Sequence, residues 1–409
     1  MNQQTSPELF SRICNSSFVR VFLYALLCQL TMSISNTVLP LYVMEGLGMS
    51  AAQSGMLGTA FTIGSVCCRF FAGYLADRFG RRTMLVLGAG IVGAVLIVLG
   101  YQSAFVLLLV FKTVQGVGHA INSTAATAAA SEVLPREQMG KGIGYFSLHS
   151  TIINAIGPTV ALAFMGVGVS AAGEQNYALP MVMGGLGGLI AMGIGASLGY
   201  EKKLRRDRNA ARPGFRISDF IERRSLMPAV LMLFQAFSSG ASVYMIVFAN
   251  DMGFATVGEY YIINAACTFG IRVALGSRLD GMRPRTVTLI AVAMNITSYL
   301  CLGLTLSHWA FLLSAVLMGA YQAMLVPTYN TLALKLAPES RSGAAAATYW
   351  LGFDGGMAIG MLAFGVIIDA GGYRGAFLAA GGYMVLFALL AAVVLRRTRP
   401  LKEIVSPAD

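Results

Sequence analysis

The fold this sequence predicts is an all-α membrane protein, with twelve transmembrane helices in two pseudo-symmetric six-helix bundles. An apolar composition, a one-sided distribution of basic residues and an internal repeat carry that expectation. The chain has 409 residues, 56% of them hydrophobic and only 11% charged, with a mean hydropathy of +0.69. A soluble domain carries about 25% charged residues, so this surface suits a bilayer rather than water.

A transmembrane helix needs about 20 mainly apolar residues. Runs of that kind begin near Phe18, Ala52, Thr83, Ser103, Gly140, Tyr177, Leu226, Val257, Arg285, His308, Gly343 and Gly375. The 47 glycines suit helices that must approach closely where hydrocarbon cannot drive association. "GAGIVGAVLIVLG" (Gly88 to Gly100) and "MVMGGLGGLIAMGIGASLG" (Met181 to Gly199) show this best. Small-residue spacing of this kind is common to helical membrane proteins and says nothing about activity.

The net charge of +11 is a topology signal rather than a nucleic-acid footprint. Arg374 alone falls in an outer connection; Arg69, Lys112 and Arg272 fall inside apolar runs, and the other Lys and Arg residues occupy alternate connections and both tails. The remaining connections carry Glu45, Glu174, Asp251 and Glu259. This bias puts both termini in the cytoplasm and an even number of spans in the plasma membrane. The first apolar run has no small-residue cleavage site and leads straight into another, so it reads as a span rather than a signal peptide. The six cysteines lack CxxC or Cys/His ligand spacing, which points to neither disulfides nor a metal.

Residues 201–225, "EKKLRRDRNAARPGFRISDFIERRS", interrupt the apolar pattern as a basic linker between bundles 1–200 and 226–409. Ile217, Phe220 and Ile221 could lay a short amphipathic turn of this linker on the lipid surface. Sliding the sequence by 203 residues sets Arg69 on Arg272, Gly73 on Gly276, Asp77 on Asp280, Arg82 on Arg285 and Thr83 on Thr286. Gly116 then meets Gly319, and Gly157 meets Gly360. Two repeated six-helix halves make a transporter architecture with the substrate near mid-membrane.

"GYLADRFGRR" resembles the signature loop between helices two and three of the major facilitator superfamily, matching at Gly73, Leu75, Asp77, Arg78, Gly80, Arg81 and Arg82. The second copy, "GSRLDGMRPR", keeps Gly276 and Asp280 but has Arg283 at the glycine position. The resemblance covers nearly the whole chain and points to the twelve-helix drug/proton antiporter-type branch. It implies a cytoplasmic latch in which Asp77, the arginines and Glu132, with Asp280 as the repeat mate, close the inner face. Otherwise these arginines are topology anchors alone. "LLLVFKTVQGVGHAINSTAATA" resembles the family's second motif at Leu108, Gln115, Gly116 and Gly118, with Lys112 where the family has arginine. That arginine is tied to proton coupling in the family, and lysine, unlike arginine, can lose its proton when desolvated. "NAIGP" resembles half of the family's antiporter motif through Gly157 and Pro158.

Polar groups inside spans are costly and mark functional positions. Lys112, Gln115, His119 and Asn122 recur at 3, 4, 3 on one helical face, and Gln29, Ser33 and Asn36 form a second stripe. In the seventh run Gln235 and Ser239 hold comparable places, while His149 and Asn154 lie in the fifth, and Tyr321 and Tyr349 in the tenth and eleventh. Each could line a substrate cavity, or pack. Asp354, deep in the eleventh run among Gly352, Gly355 and Gly356, is the leading proton-coupling residue, with Lys112, His119 and Glu45 behind it. Its alternative role is a helix-packing hydrogen bond.

No Walker motif, metal cluster or Ser/His/Asp set appears, so ATP hydrolysis, covalent chemistry and cofactors are not expected. The proton gradient is the expected energy source. Two transport readings stand. One is proton-coupled efflux of a small amphipathic or cationic compound, of the kind that confers multidrug resistance. The other is proton-coupled uptake or export of a specific metabolite such as a sugar, organic acid or siderophore. A greasy cavity with one acid favours the first; a cavity dominated by Lys112 and His119 favours an anionic substrate. The expected partners are a small molecule and lipid, with no nucleic acid, around a monomer.

Overall fold

Backbone N–H and C=O groups cannot stay unpaired in hydrocarbon, so a chain this apolar folds as helices. The computed structural model describes residues 15–133, 139–167, 176–198, 221–254, 257–279, 281–305, 307–338 and 342–404, and no strand occurs among them. Helix α1 (Ser16–Leu41) runs into a π turn, Tyr42–Gly46; α2 (Ala51–Phe79), α3 (Arg81–Leu99), α4 (Phe105–Val133), α5 (Met139–Val167) and α6 (Ala178–Ala196) follow. Helix α7 (Leu226–Ser239) continues through the 3-10 turn Gly240–Tyr244 into α8 (Met245–Asp251). Then come α9 (Val257–Leu279), α10 (Pro284–Thr305), α11 (His308–Leu336) and α12 (Ser342–Val394). Within α12, Gly372 has φ +68°, a left-handed conformation that glycine adopts without penalty, and it divides the helix into two lengths. With α7 and α8 taken as one rod and α12 as two, the described residues form twelve helical lengths, one for each apolar run.

Nine segments among the described residues are long and apolar enough to cross a membrane, one of them the double length Ala344–Val394. Helices α2 and α9 are as long, at 29 and 23 residues, or about 43 and 35 Å at 1.5 Å per residue, but more polar. Large apolar side chains such as Val106, Trp309 and Val393 stand more than two-thirds exposed, as lipid-facing residues must. The protein is a multi-pass membrane protein.

The chain divides into two compact units, Met1–Leu39 with Ile63–Phe215 and Pro40–Thr62 with Arg216–Asp409. The second unit thus takes in the end of α1 and the first turns of α2, residues the sequence assigns to the first bundle.

In the first unit Asn15 caps α1, accepting from the Phe18 amide at 2.7 Å, and its own amide donates to Val133 O at the end of α4 at 2.9 Å. Tyr24 donates to Leu85 O of α3 at 2.7 Å. Around it Phe18, Val21, Met84, Leu85 and the small residues Ala125, Ala126 and Ala129 make a buried core. Helices α3 and α6 meet backbone to backbone: a Cβ on Gly93 would lie 2.7 Å from Gly185 O, and one on Gly185 would lie 2.6 Å from Gly93 O. These are the two glycine-rich runs singled out in the sequence, now seen as one interface.

In the second unit α12 lies along α7. Added Cβ atoms on Gly352, Gly356 and Gly360 would come within 2.2, 2.1 and 2.0 Å of the carbonyl oxygens of Ala229, Leu233 and Phe237. Each set repeats every fourth residue, so the two helices run as a seam four residues in period. The chain enters α7 through a short anchored turn. The Glu222 amide donates to Thr348 Oγ1 at 2.8 Å, and Ser225 Oγ donates to Ala333 O at 2.8 Å. In each unit, therefore, the first helix is tied to the end of the fourth, by Asn15 to Val133 and by Ser225 to Ala333.

Candidate functional site

Helix α4 carries the polar face that the sequence predicts, and the first unit splits it into two levels. Deep in the bundle the Lys112 ammonium donates to Ser35 Oγ at 2.9 Å and to Gln115 Oε1 at 2.8 Å, while Ser35 Oγ donates to the same Gln115 oxygen at 3.1 Å. All three residues are buried, with Lys112 only 4% exposed. Lys112 and Gln115 are therefore sealed between α1 and α4 and do not line the pocket described next. Ser35 completes this triad from off the Gln29/Ser33/Asn36 stripe, and nothing in the stripe's spacing points to it.

One to two turns further along α4 is a small, partly open pocket wholly within the first unit, about 70 Å³ in volume. His119 and Asn122 reach it from α4, Gln29 from α1 and His149 from α5, all four predicted from the sequence. Cys28, Ser123 and Thr127 add polar atoms that the sequence left unmarked, and Ala25, Ala126 and Phe146 supply apolar wall. Among the described residues no carboxylate, Lys or Arg lines it. His149 Nδ1 lies 2.6 Å from Phe146 O, and the ring packs against Phe146 at 4.7 Å and edge-on to Phe22 at 6.4 Å. Gln29 donates to Asn154 Oδ1 at 3.3 Å, so the polar residues of α1 and α5 meet beside the pocket.

The other predicted cavity residues have different surroundings. Ser33 sits against Gly157, where an added Cβ would fall 2.3 Å from its Oγ, so the glycine of the half-matched antiporter motif serves helix contact. Asn36 is exposed. In the second unit the Gln235 amide donates to Ser239 Oγ at 3.2 Å and to the Tyr321 hydroxyl. Tyr349, fully buried, donates to Val326 O at 3.0 Å. This tyrosine-rich knot ties α7, α11 and α12 together.

Asp354 is half-buried. It is two residues from both Gly352 and Gly356, about 200° round α12 at 100° per residue, so the glycine seam to α7 turns it away from that helix. Glu45, on the π turn, accepts from Asn250 at 3.4 Å in an exposed position. In the signature loop Gly80 has φ +93°, a conformation that explains why the motif requires glycine between α2 and α3. Arg81 is half-buried and Arg82 exposed. Gly73 belongs to α2, but its surroundings, the side chains of Asp77, Arg78 and Glu132, and the whole of Asp280 lie outside the described residues. Among the described residues no group of three His, Cys, Asp or Glu could hold a metal.

A family model for the major facilitator superfamily matches residues 21–307 and 273–409, nearly the whole chain. The chain belongs to the major facilitator superfamily. The fold agrees. It superposes on the bacterial homologue of the human lysosomal transporter Spinster in an inward-facing, unoccupied state with a TM-score of 0.75 and 17% identity, covering 99% of this chain and all of the other. The nucleoside transporter NupG gives 0.75 and 14% identity over 93% of this chain and all of its own. Curated relatives include the uncharacterized MFS-type transporter YhhS of Escherichia coli O6:H1, 23% identical over 97% of this chain and 96% of that one. The staphylopine export protein of Staphylococcus aureus is 23% identical over 95% of this chain and 98% of its own. As a member of the superfamily the protein is a membrane transporter of small molecules, not an enzyme.

Proposed function

We propose that this protein is a secondary transporter that works by alternating access and exports a small, specific polar metabolite in exchange for protons. The observation that carries the substrate class is the first unit's pocket, whose described lining offers amides, hydroxyls and imidazoles but no charged side chain. An amphipathic cation would leave its charge without a carboxylate there, and burying an uncompensated charge costs several kcal/mol. The alternative, efflux of a cationic compound, draws on Asp354 alone. Export draws on the half-matched antiporter motif and on the exporter among the relatives.

In this reading Asp354 and Lys112 carry the proton coupling, each on a different unit. The loop of Gly73, Asp77, Arg78, Gly80, Arg81 and Arg82 acts with Glu132 and Asp280 as the latch of the cytoplasmic face. The charge bias supports a plasma-membrane protein with both termini in the cytoplasm, and the family resemblance supports a monomer. Proteoliposomes with an imposed pH gradient test the proposal. Polar metabolites should accumulate against their gradient only when a proton gradient opposes them, and collapse of the gradient with an uncoupler should abolish this. Accumulation that ignores the proton gradient overturns the coupling. Accumulation confined to amphipathic cations overturns the substrate class.

A further inference from the structure

The end of α12 has two faces. Ala380, Met384, Phe387, Ala391 and Leu395 recur at spacings of three and four, and all are buried. The opposite face carries Leu386, Leu389 and Val393, which stand 66%, 62% and 74% exposed. They form a stripe about 10 Å long at 1.5 Å per residue. Aliphatic side chains this bare on a membrane helix are covered by acyl chains, which are as apolar as leucine.

Directly beyond the stripe the chain reads RRTRPLKE, Arg396 to Glu403. Arg396, Arg397 and Arg399 are exposed, yet the segment that bears them is a built turn. The Arg396 amide donates to Val393 O and the Thr398 amide to Leu395 O, each at 3.2 Å. Leu395 before the arginines and Leu401 after them are buried, at 0% and 2% exposure. The Leu401 carbonyl accepts from the Lys335 ammonium at the end of α11, and the Glu403 amide donates to Pro400 O at 2.9 Å. The two leucines thus peg the arginine turn at both ends. Its place above the stripe is set before any ligand arrives, so binding there forfeits little chain entropy.

Packing brings further charge to the same end of the second unit. An added Cβ on Gly303 would lie 2.7 Å from Leu378 Cγ, and one on Gly381 would lie 3.6 Å from Tyr299 Cβ. Helix α10 and the second length of α12 therefore run antiparallel, and the start of α10, with Arg283 and Arg285 exposed, lies at the end where α12 finishes. Among the described residues the carboxylates at this end are Glu403, exposed on the turn, and Glu222, which is buried. Arginine at all three positions of the turn favours phosphate, because its planar fork makes paired hydrogen bonds where an ammonium makes point contacts.

We infer that the end of α12 binds an anionic phospholipid, with the headgroup phosphate on Arg396, Arg397 and Arg399 and an acyl chain along Leu386, Leu389 and Val393. Topology alone needs only positive charge on one side; it needs neither pegs for the turn nor a bare apolar stripe beneath it. A soluble anion would engage the arginines and gain nothing from the stripe. A zwitterionic lipid would gain the stripe but set its own cationic group among the arginines. With the C-terminus in the cytoplasm, as proposed, the turn meets the leaflet whose surface is negative. The site is independent of what the protein transports.

Native mass spectrometry of the full-length protein, titrated with phosphatidylglycerol or with phosphatidylcholine of the same acyl chains, reads the affinity. Phosphatidylglycerol should bind more tightly by about tenfold or more. Arg396→Gln/Arg397→Gln/Arg399→Gln should weaken it about 100-fold, about fivefold for each arginine, and leave phosphatidylcholine binding unchanged. Arg205→Gln/Arg206→Gln/Arg208→Gln, which removes the same charge from the basic linker, should have a far smaller effect. Equal binding of the two lipids, or equal losses in the two triple variants, would mean annular lipid held by overall charge and overturns the inference. Displacement of phosphatidylglycerol by millimolar inorganic phosphate would mark a soluble-anion site and overturns it too. Should the first variant fail to fold, the wild-type protein decides. In nanodiscs, phosphatidylglycerol with a photoreactive diazirine in its acyl chain should crosslink chiefly to the peptide covering residues 384–396, and crosslinks spread evenly over the lipid-facing helices overturn the inference.

Discussion

Asp369 of α12 closes the first turn of α2: its two carboxylate oxygens accept from the backbone amides of Ala51 at 2.8 Å and Ala52 at 2.9 Å. A helix start leaves four amides without intrahelical partners, and a carboxylate there also meets the positive end of the helix dipole. Tyr244 supports the same turn, its hydroxyl shared between Ala51 O at 3.0 Å and Met361 O at 2.8 Å. Lower down, Thr59 donates to Ala358 O at 2.8 Å. These bonds explain why residues 40–62 belong with the second unit.

Asp369→Ala is expected to lower stability by about 1–2 kcal/mol, the usual worth of a lost charged cap. Hydrogen exchange followed by mass spectrometry on the peptide covering residues 49–56 reads it directly. Amide exchange there should quicken about tenfold, the equivalent of about 1.4 kcal/mol, while Asp369→Asn, which keeps one acceptor, should show a smaller effect. Unchanged exchange in both variants would show that the cap is not holding α2.

The α7–α12 seam gives a sharper contrast. Gly356 leaves no room for a methyl group, with an added Cβ 2.1 Å from Leu233 O, whereas Gly355 beside it would meet only Leu233 Cδ1 at 4.0 Å. The near atom in the first case is backbone, which cannot rotate away. Gly356→Ala should therefore push the helices apart and cost at least about 1–3 kcal/mol, enough to lower Tm by several degrees. Gly355→Ala should be neutral or slightly stabilising, since alanine is the better helix former by about 1 kcal/mol. Fluorescence-detected size exclusion after a heating series separates the two. Equal losses would mean that the seam is looser than its geometry.

How much of this was legible in the sequence depends on range. The glycines of residues 88–100 and 181–199 announce a close helix contact by composition, and Gly93 and Gly185 make one. Gly80 is legible as a motif residue, and its positive φ supplies the reason. The helical stripe on α4 contains His119 and Asn122, which line the pocket with Gln29 and His149. Periodicity assigns a face but not a depth, however, so Lys112 and Gln115, one to two turns away on that face, read as cavity residues although they are sealed with Ser35. Asp369 reads only as a charge at the end of an apolar run, because its partners are more than 300 residues away in the chain.

Lys112 now admits a test that separates structure from coupling. Were its role structural, removing it would destabilise the protein by leaving Gln115 Oε1 bare, but Ser35 Oγ already donates to that oxygen at 3.1 Å. Replacing a buried charge by an apolar group of similar length is often neutral or stabilising. Lys112→Met should thus keep Tm within a few degrees, or raise it, while abolishing proton-driven accumulation in vesicles. A variant that loses its fold instead, with the wild-type flux recovered in whatever fraction stays folded, would make Lys112 a structural residue.

Asp354 is the complementary case on the second unit. The glycines beside it are explained by the seam, where Gly352 and Gly356 meet Ala229 O and Leu233 O, so they are not there to make room for its carboxylate against α7. That removes one structural reason for an acid at this depth and strengthens the reading of it as a proton carrier. Asp354→Asn keeps the size and hydrogen-bonding capacity of the side chain but cannot release a proton. Energised vesicles carrying it should lose uphill accumulation entirely, whereas exchange of labelled for unlabelled metabolite at equal pH, which needs no net proton movement, should persist within about tenfold of wild type. Uphill accumulation that survives the substitution would place the coupling elsewhere, and Lys112 would then carry it alone.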